Sequence, residues 1–141
     1  MILSSKNVDD IYQDLDMGMI VYVHRTTKEI VSTLDFDNSY ADDQRELWQD
    51  TIDKIESDKE NYIQIEKMNS NEAYGVMESF VAEVVSDPKM QGRLEQALEG
   101  RKPFANFKNA LGHDMDVRDQ WFAYKNEKYY DYVVRELNYL E

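Results

Sequence analysis

The chain has 141 residues, 42% of them hydrophobic and 12% aromatic, with a formal net charge of −13. That length fits one domain of ordinary size, and the apolar fraction excludes compositional disorder. The absence of cysteine excludes disulfides, thiolate metal sites and cysteine nucleophiles.

The N-terminal Met-Ile-Leu-Ser-Ser-Lys-Asn run is too short for a signal peptide, and no stretch approaches the ~20 apolar residues of a membrane helix. A cytoplasmic protein with no membrane partner is expected. The charge is uneven. Residues 35–60 hold ten acids against Arg45, Lys54 and Lys59, whereas residues 89–108 hold Lys89, Arg93, Arg101, Lys102 and Lys108 against Glu95 and Glu99. The overall negative charge opposes duplex DNA and anionic lipid, because long-range repulsion acts before any contact forms.

In chain order, Asn7 reads as the N-cap of a first helix carrying Val8, Ile11 and Leu15, ended by Gly18. Met19–His24 and Glu29–Leu34 are β-branched runs of strand length, joined by Arg25–Lys28 as a hairpin turn. Asp43 opens a helix with Leu47, Trp48, Ile52 and Ile55 on one face and acids on the other. Tyr62–Glu66 alternates as a third strand, Ile63 and Ile65 inward. Ser70 or Asn71 caps a helix to about Ser86, with Ala73, Met77, Phe80, Val81 and Val84 forming its apolar stripe, and Pro88 breaks it.

Met90, Leu94, Ala97 and Leu98 mark a short helix ended by Gly100. Pro103 starts the next, with Phe104, Phe107 and Leu111 inward and Gly112 closing it. Asp116 then caps a long last helix whose apolar residues include Val117, Trp121, Phe122, Tyr129, Tyr130, Val133, Val134, Leu137 and Leu140. The expected class is a single α+β domain over residues 1–141. A small antiparallel three-stranded sheet within residues 1–66 is followed by a helical part at residues 67–141, with about five to six helices in all.

Four blocks occur in order: Tyr74-Gly-Val-Met-Glu-Ser-Phe80, Leu94-Glu-Gln-Ala-Leu-Glu-Gly-Arg101, Pro103-Phe-Ala-Asn-Phe-Lys-Asn-Ala-Leu111 and Trp121-Phe-Ala-Tyr-Lys-Asn-Glu127. The series resembles the bacterial uncharacterised protein family 0158. Its members share a Tyr-x-x-Met-x-x-Phe segment, a Gly-Arg-x-x-Phe-x-x-Phe-Lys block and a Trp-aromatic-x-aromatic block. The resemblance covers about residues 60–135 and extends to the hairpin Val21–Ile30, where Thr27-Lys28 replaces the family's usual Thr-Gly. It implies the fold and no activity, cofactor or catalytic residue.

The strongest candidate site is Arg101, Lys102, Phe104, Phe107 and Lys108 with Trp121, Phe122 and Tyr124. A cation-edged aromatic groove of this kind could hold an anionic peptide, a nucleotide or a single nucleic-acid strand. The plainer reading makes the rings a helical-hairpin core, Trp121 mostly buried against Phe104 and Phe107, with the cations solvated or paired.

Asp35, Asp37, Ser39 and Glu46 fall at positions 1, 3, 5 and 12 of a calcium-loop spacing. Tyr40 stands where the turn needs Gly, and a strand precedes the loop instead of a helix, so no metal is expected. Of the two histidines, His24 reads as a half-buried or edge side chain of a strand. His113, beside Asp114 and Asp116, is the best general-base candidate, with no nucleophile to complete a site. No catalytic residue and no cofactor are assigned. The expected function is a non-enzymatic binding or regulatory module acting through protein–protein contacts, its acidic face at residues 35–60 meeting a basic partner. A nucleotide or single-strand binder using Arg101–Lys108 and Trp121 is one alternative, and a small hydrolase or transferase centred on His113 is another.

Overall fold

The computed structural model describes residues 1–35, 42–112 and 114–140. It is an α+β structure with helices α1 (Ser5–Asp16), α2 (Gln49–Ser57), α3 (Ser70–Glu83), α4 (Pro88–Glu99), α5 (Pro103–Leu111) and α6 (Met115–Leu140). Strands β1 (Met19–His24), β2 (Ile30–Leu34) and β3 (Tyr62–Ile65) form one antiparallel sheet in the order β2-β1-β3. The chain resolves into two compact units. One is Met1–Lys67 with Tyr130–Glu141, and the other is Met68–Tyr129, so α6 contributes to both.

In the first unit, Val21 and Val23 of the central strand face the same side as Ile63 and Ile65, and all four are buried. Alternation on a pleated strand dictates that placement. Helix α1 lies against β1 and buries Val8, Ile11 and Leu15, and Asp14 accepts a 2.6 Å hydrogen bond from the Ser32 hydroxyl of β2. The end of α6 adds Tyr132, Val133 and Leu137 to the buried residues of this unit. The Tyr132 hydroxyl donates to the Glu66 carbonyl at 2.6 Å.

Two local features depart from expectation here. Helix α1 begins three residues early, because Ser4, not Asn7, is the N-cap and its hydroxyl accepts from the Asn7 amide at 3.1 Å. The stripe expected from Leu47 to Ile55 does not form, since residues Asp42–Trp48 are a 3₁₀ segment and the α-helix starts only at Gln49. Three residues per turn shift the phase between Leu47 and Ile52, so Leu47 stands 82% exposed while Ile55 is buried.

The hairpin turn carries one strained residue. Lys28 has φ +63°, in the left-handed region that favours glycine. A left-handed conformation costs an L-residue with a Cβ roughly 1–2 kcal/mol, partly offset in glycine by its larger unfolded-state entropy. Lys28→Gly is therefore expected to stabilise the protein by about 0.5–1 kcal/mol, read as a rise in thermal midpoint. An unchanged or lowered midpoint would mean that the lysine side chain compensates for its backbone.

The second unit is a helical core. Met77, Phe80, Val81, Val85, Met90, Leu94, Leu98, Phe107 and Leu111 are buried together, with Tyr74, Trp121 and Tyr124 packed against them. Helices α3 and α6 start at side-chain caps that sit slightly upstream of those expected. Asn69 accepts from the Glu72 amide at 2.8 Å, and Asp114, not Asp116, accepts from the Val117 amide at 3.2 Å. Pro88 both follows α3 and opens α4, where its missing amide costs nothing. Gly112, after α5, has φ +54° and closes that helix as expected.

Candidate functional site

The aromatic and basic residues singled out near the C-terminus divide into two populations. Phe107 is 2% exposed and belongs to the core of the second unit. Trp121 and Tyr124 are half-buried. Trp121 meets the Phe107 ring edge-on at 4.9 Å and the Phe80 ring at 5.2 Å, and Tyr124 lies 5.5 Å from Phe80. Phe80, on α3, is the hub, since it also meets Phe107 at 6.3 Å. Edge-to-face contacts suit ring quadrupoles and bind these rings to one another. The expected packing of Trp121 against Phe107 is thus present, but its other principal ring partner is Phe80, not Phe104. Burial pushes the Tyr124 phenol above its usual range, and its hydroxyl donates to a Glu83 carboxylate oxygen at 3.3 Å.

The other population faces solvent. Phe104, expected inward, is 45% exposed. It shares an azimuth with Leu111 but stands in the first turn of a nine-residue helix, ahead of the buried Phe107 and Leu111. Lys108, four residues on, lies on the same strip of α5 and is exposed, as are Arg101 and Lys102 just before the helix. None of these three cations makes an ion pair among the described residues. Phe122 is the second ring to depart from expectation, at 46% exposed. Consecutive residues on a helix point 100° apart, and Trp121 takes the inward position. The Arg118 guanidinium covers Phe122 at 5.8 Å from the ring centre.

The second unit also carries a groove of about 220 Å³ lined by Tyr74, Glu78, Val81, Ala82, Glu95, Leu98 and Glu99. The first unit carries a cavity of about 240 Å³, with Ile20, Tyr22, Thr33 and Ile52 among its walls and Arg45 and Glu56 at its polar margin. Neither is lined by any of the basic or aromatic residues at Arg101–Lys108 or by Trp121.

His24 has an arrangement that the sequence did not reveal. One ring nitrogen, Nε2, lies 2.8 Å from Asp58 Oδ2, and the other, Nδ1, accepts from the Thr26 and Thr27 amides at 3.1 Å each. Two fixed amide donors require a lone pair on Nδ1, so the proton sits on Nε2 and is donated to Asp58. Hydrogen bonds from His24 and then from Asn61 hold the Asp58 carboxyl below its usual range. With both nitrogens engaged, His24 has no lone pair free to act as a general base. His24, expected as a half-buried or edge residue of a strand, lies on the central strand β1 with its side chain 12% exposed. Its partner is 34 residues away in sequence, and no spacing rule links the two.

His113 lies outside the described residues. Its neighbour Asp114 is the α6 cap, and Asp116 is exposed. Of the calcium-loop spacing, Asp37, Ser39 and Tyr40 also lie outside, and the element before the loop is the strand β2. Among the described residues no group of three or more His, Asp or Glu side chains is placed to hold a metal. No described helix is long and apolar enough to cross a membrane.

These features define a small acidic α+β protein with a three-stranded antiparallel sheet and a helical unit centred on an aromatic hub. The chain belongs to the Uncharacterised protein family (UPF0158), whose pattern matches residues 2–141. A UPF0158 protein of Pseudomonas aeruginosa is 31% identical over 74 residues, covering 52% of this chain and 48% of that protein. The match therefore spans about half the length of that relative. No solved structure matches the chain.

Proposed function

We propose that this chain is a non-enzymatic binding module of the bacterial cytoplasm that acts through protein–protein contacts. Its principal contact surface is Phe104 with Arg101, Lys102 and Lys108. The observation that carries this reading is the exposure of Phe104 beside three cations that make no ion pair among the described residues, in a chain whose charge is −13. Half-exposed phenylalanine supplies an apolar anchor, and flanking cations choose its company. An acidic segment of a partner protein fits both. The exposed Asp50, Asp53 and Glu56 of α2 supply a second face of opposite sign, suited to a basic partner.

A nucleotide or single-stranded nucleic acid would need ring faces on which to stack. Phe107 is buried and Trp121 has two edge-to-face neighbours, which leaves Phe104 as the accessible ring beside the cations. That favours a protein partner.

Quantitative affinity capture with wild type, Phe104→Ala and Arg101→Glu/Lys108→Glu, each checked for an unchanged melt, tests the reading. At least one captured protein is expected to fall roughly tenfold in both variants, equivalent to about 1.4 kcal/mol. Capture indifferent to both variants would defeat it. Salt-resistant binding of labelled single-stranded RNA or DNA that is lost in the charge-reversal variant would put the nucleic-acid reading first.

A further inference from the structure

We infer that His24 is a proton-operated clasp on the hairpin turn. A second proton, taken up at Nδ1, releases the Thr26 and Thr27 amides. This is a device within the first unit, independent of the binding surface on the second.

The geometry leaves the ring one resting state. Nδ1 receives two backbone N–H groups, both at 3.1 Å, and Nε2–H points to Asp58 Oδ2 at 2.8 Å. Asp58 is itself fixed, its other oxygen accepting from the Asn61 side chain at 2.5 Å. The Tyr62 ring stands edge-on to the imidazole at 4.9 Å. The charged groups around the ring are Asp58 at Nε2, Arg25 and Lys28 on the turn, and Glu29 at its end, which is paired with Lys54 of α2.

A proton on Nδ1 would face two amide protons. A donor opposite donors cannot form the bond and adds repulsion. The imidazolium keeps its Asp58 partner and gains ion-pair character there, so the turn amides are what is given up. The strand ends stay joined, because His24 and Glu29 remain linked by the His24 amide donating to the Glu29 carbonyl at 2.9 Å. The response is therefore local.

The reach of that response is limited by what else holds the turn. The Arg25 amide donates to the Asn61 carbonyl at 2.7 Å and the Lys28 amide to the His24 carbonyl at 2.9 Å, neither through the imidazole. The side-chain contacts of Arg25 with the Leu140 carbonyl at 3.1 Å and of Lys28 with the Ile2 carbonyl at 3.5 Å therefore outlast the release of Thr26 and Thr27.

Nitrogen NMR of the His24 ring, with amide exchange followed through its titration in the full chain, tests this. The neutral ring is expected to carry its proton on Nε2. As the ring charges, the Thr26 and Thr27 amides should lose roughly tenfold in protection relative to their intrinsic exchange rates, while Val21 and Val23 stay protected. His24→Asn is the control. Its side-chain carbonyl can accept from the same amides as an Asx-turn and does not titrate, so the step should vanish without loss of protection. A neutral ring protonated on Nδ1 overturns the inference, as does turn protection unchanged through the titration. Simultaneous loss of protection at Val21 and Val23 also overturns it, since that reports global unfolding.

Discussion

Phe80→Ala is expected to cost about 3–5 kcal/mol, one of the largest single losses available in this chain. Phe80 is fully buried on α3, and three aromatic rings pack on it: Phe107 at 6.3 Å, Trp121 at 5.2 Å and Tyr124 at 5.5 Å. Truncation removes the transferred apolar area and leaves a cavity whose walls are rings, which collapse poorly into the space. Phe107→Ala belongs in the same range. Trp121→Ala falls below it, because the indole is only half-buried and part of its area is already in water. Phe104→Ala, on a side chain 45% exposed, should stay within about 0.5–1 kcal/mol. Urea denaturation followed by circular dichroism ranks the four, since tryptophan fluorescence would itself change in the Trp121 variant. If Phe80→Ala and Phe104→Ala shift the midpoint equally, the hub assignment is wrong.

That ranking separates what the sequence could specify from what it could not. Ile63 and Ile65 alternate with the polar Gln64 and Glu66, and a pleated strand allows only one face for them, so their burial was legible. The same holds for Phe107 and Leu111, four residues apart on one helix and both buried. In β1 the alternate residues Ile20 and Tyr22 are apolar as well, so spacing alone does not choose Val21 and Val23 as the inward pair. Phe104 and Phe122 were not legible. Helical spacing says which residues share a face, but not where along the helix its covering elements end. Nor does it say which of two adjacent rings, Trp121 or Phe122, turns inward.

The start of α2 was misplaced for a different reason. Leu47 and Trp48 read equally well as α-helical, and the 3₁₀ geometry of Asp42–Trp48 leaves no clear periodic mark in seven residues. For the candidate site, the cations and Phe104 were identified from local composition. The hydrogen-bond partner of His24 was not, because Asp58 comes to it only through the pairing of β1 with β3. Contacts made by tertiary structure carry no fixed spacing, and Tyr132 with Glu66, 66 residues apart, is another case.

The second large effect is expected at the far end of α6. Leu137→Ala should cost about 2–5 kcal/mol, although it lies only four residues from the end of the chain. Terminal turns of a helix usually fray, and a truncation there is ordinarily cheap. This end is tied down in the first unit. Leu137 is 1% exposed and Val133, one turn earlier, is fully buried. Polar contacts lie on either side of them: the Tyr132 hydroxyl donates to the Glu66 carbonyl at 2.6 Å, and Arg25 donates to the Leu140 carbonyl at 3.1 Å. Tyr139, two residues beyond Leu137 on the same helix, is 84% exposed and provides an internal control. Tyr139→Ala changes helix propensity and little else, so it should stay within about 0.5 kcal/mol. Tyr132→Phe should fall between the two, at about 1–3 kcal/mol, because it leaves a part-buried carbonyl without its donor. Guanidinium denaturation of the three variants gives the order directly. A Leu137→Ala midpoint indistinguishable from that of Tyr139→Ala would mean that the last turns of α6 are not seated in the first unit. A Leu137→Ala loss well above the Tyr132→Phe loss would place most of the anchoring in apolar burial rather than in the tyrosine hydrogen bond.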